Sequence, residues 1–476
     1  SYLFNQISGN HLNLIEFMTD THPIKNFNDA QNYIKRVKLF GDILNANLEW
    51  LHEQKRREIY PPRFVFDHVI NQLNKLISYK EEDNPLIYIF TKKLNTLKIS
   101  NSDNLKLKKH LIKTIKSDVN PGFLKILNFM MDNYNNANIH HGVWSLPNGD
   151  EFYNFKIKSF TTTDYSPEQI HQIGLTEVNR ISKRMIEIFN QLGYEVNKTV
   201  GEMMNELNEN SNFLYVDSPD RKKIVISDYN EMLIQALKDV KPYFERLPKS
   251  KVEIRAVPEY SEKTAAGGYY QAPSLDGSRP GVFYANLYDI KQTPTFGMRT
   301  LTFHETIPGH HLQIALNQEN KELTLYRKLG YRTSAYTEGW ALYAEQLAVE
   351  IGMTKNLYDE LGVLQSEMFR ANRLVVDTGI HFKKWSREKA MDYMKKTTGM
   401  SDTQVRVEIE RYIVWPGQAL SYKIGMLKIL ELRERAKEKL GKKFNLKDFH
   451  SIVLNQGIVP LFILEDLIND WIENTQ

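Results

Sequence analysis

Not one of the 476 residues is cysteine, which removes disulfides, thiolate-bound zinc, iron–sulfur clusters and a cysteine nucleophile from consideration. No apolar run approaches the roughly 18–20 residues of a membrane span. No Gly/Ser-rich or Pro-rich stretch is long enough to mark a linker, and no internal repeat is visible. Charge of one sign is missing too. The 62 basic and 58 acidic side chains leave a formal net charge of +4, so a basic surface focused on nucleic acid is not expected. The Lys-rich segment LKLKKHLIKTIK, from Leu105, interleaves Leu and Ile at helical spacing and reads as the solvated face of an amphipathic helix.

What is present is ordinary for a globular protein: 41% hydrophobic and 25% charged residues. Apolar residues recur at three- and four-residue steps in DAQNYIKRVKLFGDILNANLEWLHEQ, PPRFVFDHVINQLNKLI and TEVNRISKRMIEIFNQLG, the period of amphipathic helices. Ser166-Pro167-Glu168-Gln169 is a helix start, with Ser as N-cap, Pro in the first turn and Gln three residues after the cap. Between Lys251 and Asp289 the texture changes. VEIRAV alternates like a strand, and GGYYQAPSLDGSRPGVFYANLYD supplies two aromatic-rich extended pieces around a turn. The expected fold is mainly α: one large helical domain over 1–476, with a helical half to residue 250. The second half, 251–476, holds a small sheet (251–289) next to the site helices (300–350) and a deep cleft.

Chemistry concentrates in TLTFHETIPGHHLQIAL, where His304, Glu305, His310 and His311 fall within eight positions. Hydrolytic zinc sites use three imidazole or carboxylate ligands, and in HExxH the two His lie four apart on one helix face with the Glu as general base. Here the fourth position after His304 is Pro308, and His310 comes six residues on. Six residues of ideal helix turn through about 600°, which faces His310 away from His304. The pair can act together only if the helix is broken or bulged, and Pro308-Gly309 offers that break. A bulge of two extra residues would return His310 to the face of His304. His310 is the first choice as second ligand and His311 the alternative, the other serving as support.

The third ligand is sought in TSAYTEGWALYAEQLAVEIG, where Glu338 and Glu345 lie seven apart on one side of a helix. Glu338 is the first choice, 28 residues after His310, and Glu345 then holds a ligand His; the two roles can be exchanged. Cations for a peptide's terminal carboxylate are sought in Arg373, Lys423 and Arg411. Tyr270 and Tyr284-Ala285-Asn286 belong to strand pieces that can pair with an extended substrate. The His140-His141 pair reads as incidental.

The HExxPGHxLQ segment, with TTTDYSPEQIHQIGLTEV, TEGWALYAE, RLVVDTGIHFKKWSREKAMDYM and ERYIVWPGQALSYKIG, resembles a family of largely uncharacterised bacterial proteins, a domain-of-unknown-function family. The likeness covers nearly the whole chain. That family is in turn distantly similar to the helical gluzincin zinc peptidases, which include the thimet oligopeptidase, angiotensin-converting-enzyme and thermostable carboxypeptidase groups. The resemblance implies Zn2+ held by His304, His310 and Glu338, with Glu305 as general base. The lengthened motif of dipeptidyl peptidase III is a precedent for the spacing. It also implies a His and a Tyr that stabilise the oxyanion, for which His381 and Tyr422 are the candidates, and a natural chain longer at its N-terminus. The expected activity is zinc-dependent peptide hydrolysis by a carboxypeptidase or oligopeptidase. The alternatives are a zinc hydrolase of other amides or esters and a non-catalytic scaffold. The expected partner is a peptide, with no nucleic acid and no membrane span. The oligomeric state stays open. So does the compartment, with an extracytoplasmic one (exported or lipoprotein) in a bacterium favoured.

Overall fold

The computed structural model describes residues 2–259, 262 and 265–475. The chain packs as two compact units, 1–149 and 150–476. The first is all helix. The amphipathic segments form Phe27–Lys38, Phe40–Arg56 and Arg63–Ser78, whose apolar faces supply Tyr33, Val37, Leu44, Val65, Phe66 and Val69 to a core completed by Phe90, Leu111 and Phe123. The Lys-rich segment forms Asn101–Thr114 and buries Leu107, Leu111 and Thr114 while Lys106, Lys109 and Lys113 stay exposed, which is the solvated face that its spacing predicts.

The second unit carries every candidate site residue. Its first long helix, α1 (Pro167–Gln191), begins as the sequence indicates: Ser166 and Gln169 form a reciprocal capping box ahead of the first turn. The strands are β1 (Val252–Ala256), β2 (Gly268–Gln271) and β3 (Gly281–Ala285), in the order β1-β3-β2. β3 runs parallel to β1 and antiparallel to β2, with Tyr284 opposite both Arg255 and Tyr269. As the central strand, β3 is buried along most of its length. The helices that follow are α2 (Thr295–Glu305), α3 (His310–Glu319), α4 (Ser334–Glu350), α5 (Leu357–His381), α6 (Asp402–Val414) and α7 (Ser421–Leu440).

Two close helix pairs frame the site. α1 lies along α5, and α4 lies along α7, with α2 crossing α4 and α5. Small residues set the α4–α7 approach. A Cβ on Gly425 would stand 1.9 Å from the Ala335 carbonyl oxygen, and one on Gly339 would stand 2.5 Å from Gly425 Cα. Only hydrogen fits at either position, so the backbone that carries Glu338 is clamped directly against α7. Among the described residues, no helix is long and apolar enough to cross a membrane.

Candidate metal centre

α2 is an unusual helix because nearly every face is buried, His304 and Glu305 included. Polar groups so placed need partners, and each partner is specific. Arg299 pairs with Asp359 at 3.2 Å, and Thr302 and Thr306 donate back to carbonyls one turn earlier. The helix stops at Glu305. Thr306 leaves helical geometry, the Ile307–Pro308 peptide is cis, and α3 starts afresh at His310. The expected two-residue bulge is thus a complete break between two helices. Gly309 is what lets the chain fold back: a Cβ there would lie 2.0 Å from the His304 carbonyl oxygen and 2.3 Å from that of Phe303. Trp340 Nε1 on α4 donates to the Pro308 carbonyl at 2.9 Å and fastens the turn.

The break brings His304 and His310 face to edge, with ring centres 4.7 Å apart and planes at 85°. Glu338 on α4 completes a cluster in which one ligand atom from each residue lies within 4.8 Å of the others. Glu338 Oε2 stands 3.6 Å from His304 Nε2 and 3.4 Å from His310 Nε2. Ligand atoms bound tetrahedrally at about 2.1 Å sit roughly 3.4 Å apart, so these spacings fit a shared ion. The second nitrogen of His304, Nδ1, bonds Glu345 Oε1 at 2.7 Å, which fixes the ring and leaves Nε2 for the ligand role. Glu338 thus faces Nε2 of His304 and Glu345 its Nδ1, the arrangement the two expected roles require.

Charge balance points the same way. Burial works against a charged His304, but the hydrogen bonds and charges of Glu338 and Glu345 outweigh it and push the pKa up to about 10. Burial also opposes ionisation of Glu338, yet the two imidazoles hold it well below the ordinary carboxylate range. The cluster carries more negative charge than it can hold uncompensated, so a cation, whether proton or metal ion, balances it. Three buried atoms around it bond nothing else: Glu305 Oε2, His310 Nδ1 and Glu345 Oε2. Burial first, and then the charge of Glu338, raise the pKa of Glu305, while His304, His310 and Arg370 oppose the rise. The donor set of two imidazoles and a carboxylate suits zinc.

His311 takes no part in the cluster. Its Nδ1 meets Tyr270 Oη at 2.8 Å and its Nε2 the Ser250 carbonyl at 3.0 Å, and burial holds its pKa down to about 4. It ties the sheet to α3 rather than supporting a ligand. Tyr270 makes that contact from β2, an edge strand of the sheet. Tyr284 stacks on Tyr269 with ring centres 5.0 Å apart. Asn286 is buried and uses its side chain to bind the backbones of Glu262, Ala265 and Tyr288. With β3 hydrogen-bonded on both edges, it has no free edge for an extended peptide.

The C-terminal candidates also fall differently from their expected roles. His381 is fully buried at the end of α5, bonded to the Tyr412 carbonyl at 3.0 Å and packed against Tyr153, and burial lowers its pKa to about 4. It is a core histidine. Lys423 is likewise fully buried, paired with Glu367 at 2.5 Å and Glu177 at 2.9 Å between α7, α5 and α1. Arg373 bonds Tyr412 Oη at 2.9 Å and Glu408 at 3.1 Å. Arg411 pairs with Glu408 at 3.3 Å and bonds Gln418. Tyr422 lies against two guanidiniums, 4.4 Å from Arg373 and 5.2 Å from Arg370.

A cavity of about 380 Å³ borders the cluster at His304 and its partner Glu345; Tyr229, Phe369, Arg370 and Gln404 also line it, whereas Glu305, His310 and Glu338 do not. Neither His381, Tyr422, Arg373 nor Lys423 lines that cavity. Arg370, three residues before Arg373, does, and sequence reasoning passed over it. Its available signal was a pair of arginines inside the apolar run MFRANRLVV.

A crystal structure of a "putative lipoprotein" from Colwellia psychrerythraea is similar over 99% of this chain and 81% of that one, with 40% identity and a TM-score of 0.94. A structure from Shewanella oneidensis, described as a "putative lipoprotein of unknown function", covers 96% of this chain and 81% of its own at 18% identity and a TM-score of 0.74, and shows the same fold. No curated protein matches. The model of a bacterial protein family of unknown function matches residues 1–468, and the chain belongs to that family, DUF885.

Proposed function

We propose that the protein is a zinc-dependent hydrolase of peptide bonds. The observation that carries this reading is a general base lying beside a ligand set: His304, His310 and Glu338 converge within 4.8 Å, and the adjoining Glu305 is buried with a carboxylate oxygen free. A site that only stored an ion or held helices together has no use for that oxygen.

Zinc held by His304, His310 and Glu338 would supply Lewis acidity towards a carbonyl oxygen and would make a nearby water more acidic. Glu305 takes a proton from the attacking water through Oε2 and delivers it to the departing amine. Glu345 keeps His304 oriented through Nδ1. The Gly309 turn, fastened by Trp340, keeps His310 in register with it.

Chelator-sensitive cleavage of a mixed peptide library by zinc-loaded protein is the expected result. Glu305→Gln should lower turnover by at least about 100-fold, the usual contribution of a general base, while zinc content stays at one per chain. Full activity in that variant, or purified protein that takes up no zinc on incubation, refutes the reading. We further place the protein outside the cytoplasm, on its similarity to the Colwellia protein. Finding it in the cytosolic fraction of its host overturns that placement.

A further inference from the structure

The cavity wall beside the metal cluster holds a cation with no anion. Arg370 lies on α5 next to Phe369, and both line the cavity that His304 and Glu345 also border. The guanidinium sits 4.5 Å from the ring centre of Phe369 and 5.2 Å from that of Tyr422, so two aromatic side chains hold its plane in place. Its Nε is buried and bonds nothing, and no carboxylate among the described residues forms an ion pair with it.

The surrounding cations differ. Arg373 is neutralised by Glu408, and Lys291, also on the cavity wall, pairs with Glu209 at 3.3 Å. Arg370 has instead a like charge for a neighbour. Burial first, and then the charge of Arg373, make its protonated form harder to hold, and Tyr422, Glu345 and Glu408 compensate only in part. A partly buried guanidinium held between two rings and without an acid is costly unless an anion arrives to meet it. Its planar fork of donors matches a carboxylate in two parallel hydrogen bonds.

The position restricts which carboxylate. Arg370 shares the cavity wall with His304 and with Glu345, which bonds His304 Nδ1. In a peptide, the terminal carboxylate carbon lies roughly 4 Å or less from the carbonyl carbon of the preceding residue, by the bond lengths between them. An anion site this close to the metal ligands therefore suits a substrate whose charge is next to the bond being cut. Resting on the hydrolase reading above, we propose that Arg370 receives the free C-terminal carboxylate of a peptide, so that the site removes residues from that end: a carboxypeptidase.

The test is made on the zinc-loaded Glu305→Gln chain, which binds without turnover. A tripeptide with a free C-terminus and the same tripeptide as its C-terminal amide are titrated by calorimetry. With Arg370 intact, the acid should bind about 10- to 100-fold more tightly than the amide, the range for hydrogen bonds to a charged partner. Adding Arg370→Gln should bring the acid down to the affinity of the amide and leave the amide unchanged, and Arg370→Lys should restore part of the difference. Equal affinity for acid and amide with Arg370 intact, equal loss of both in Arg370→Gln, or no binding of either peptide overturns the assignment. If Arg370→Gln does not fold, the acid–amide comparison in the intact and Arg370→Lys proteins decides. Failure of the hydrolase reading is seen separately, as absent chelator-sensitive turnover in the protein with Glu305 in place.

Discussion

Glu345 touches no substrate in this reading, yet it should control metal affinity. It accepts from His304 Nδ1 at 2.7 Å in a buried setting, so its charge acts on the imidazole with little screening. Glu345→Gln keeps the size and keeps an oxygen able to accept the same hydrogen bond, and therefore isolates the charge. Removing such a partner of a ligand His lowers metal affinity 10- to 100-fold, or roughly 1.4–2.7 kcal/mol. Glu345→Ala should be worse, because the buried Nδ1–H then goes unpaired at a further cost of about 1–3 kcal/mol. The assay is competition for zinc against a chromophoric chelator at fixed pH.

The same residue sets a pH dependence. Without metal, the His304 pKa is raised from 6.5 to about 10, so its contribution to stability is complete below pH 6.5 and is lost as pH rises towards 10. Glu345→Gln should shrink that loss in urea unfolding of the chelated protein. Zinc affinities within twofold of each other in the parent protein and the Glu345→Gln variant, with unfolding curves of the same pH slope, would refute the coupling.

Two further outcomes concern the scaffold. Gly425→Ala places a methyl 1.9 Å from the Ala335 carbonyl oxygen and must part α4 from α7, so a loss of about 1–3 kcal/mol in urea unfolding is expected, together with weaker zinc retention as Glu338 shifts; an unchanged midpoint counts against the clamp. Asp377 is buried, bonded by Tyr153 Oη at 2.6 Å and the Gly417 N–H, and burial raises its pKa from 3.8 to about 7. A folded state that keeps a proton the unfolded chain releases is favoured below pH 4 and loses that advantage as pH rises through 7, by roughly 4 kcal/mol in all. Asp377→Asn should abolish this slope between about pH 4 and 7, and equal slopes in both proteins would show that the carboxyl ionises freely.

How far the site could be read in advance follows from what spacing encodes. Helical period identifies which residues share a face, and that was enough for Glu338 and Glu345: seven residues is two turns, and the structure gives each one edge of His304. The Pro308-Gly309 break was also legible, because a proline and a glycine at those positions have few other uses. Its form was not. Whether the chain bulges or stops and restarts depends on Trp340 reaching the Pro308 carbonyl and on a backbone contact at Gly309, both of which are tertiary.

The charged and aromatic candidates downstream lie off the cavity wall for a common reason. α5 is 25 residues long and buried for most of its length, so nearness in sequence to the site says little about nearness in space. At 1.5 Å per residue, the step from Arg370 to His381 is about 16 Å along the axis. One end of that step borders the cavity, while the other packs against Tyr153 and the Tyr412 carbonyl. Within a single turn, Arg370 and Arg373 separate by a different rule: Glu408 lies close enough to neutralise the second and not the first. Lys423 meets Glu177 and Glu367 from two other helices in the same way. A lone sequence contains both members of each pair but not their meeting. The cation left without an acid is identified only after the cations around it have been matched, so the apolar run MFRANRLVV can mark both arginines as unusual but cannot single out Arg370.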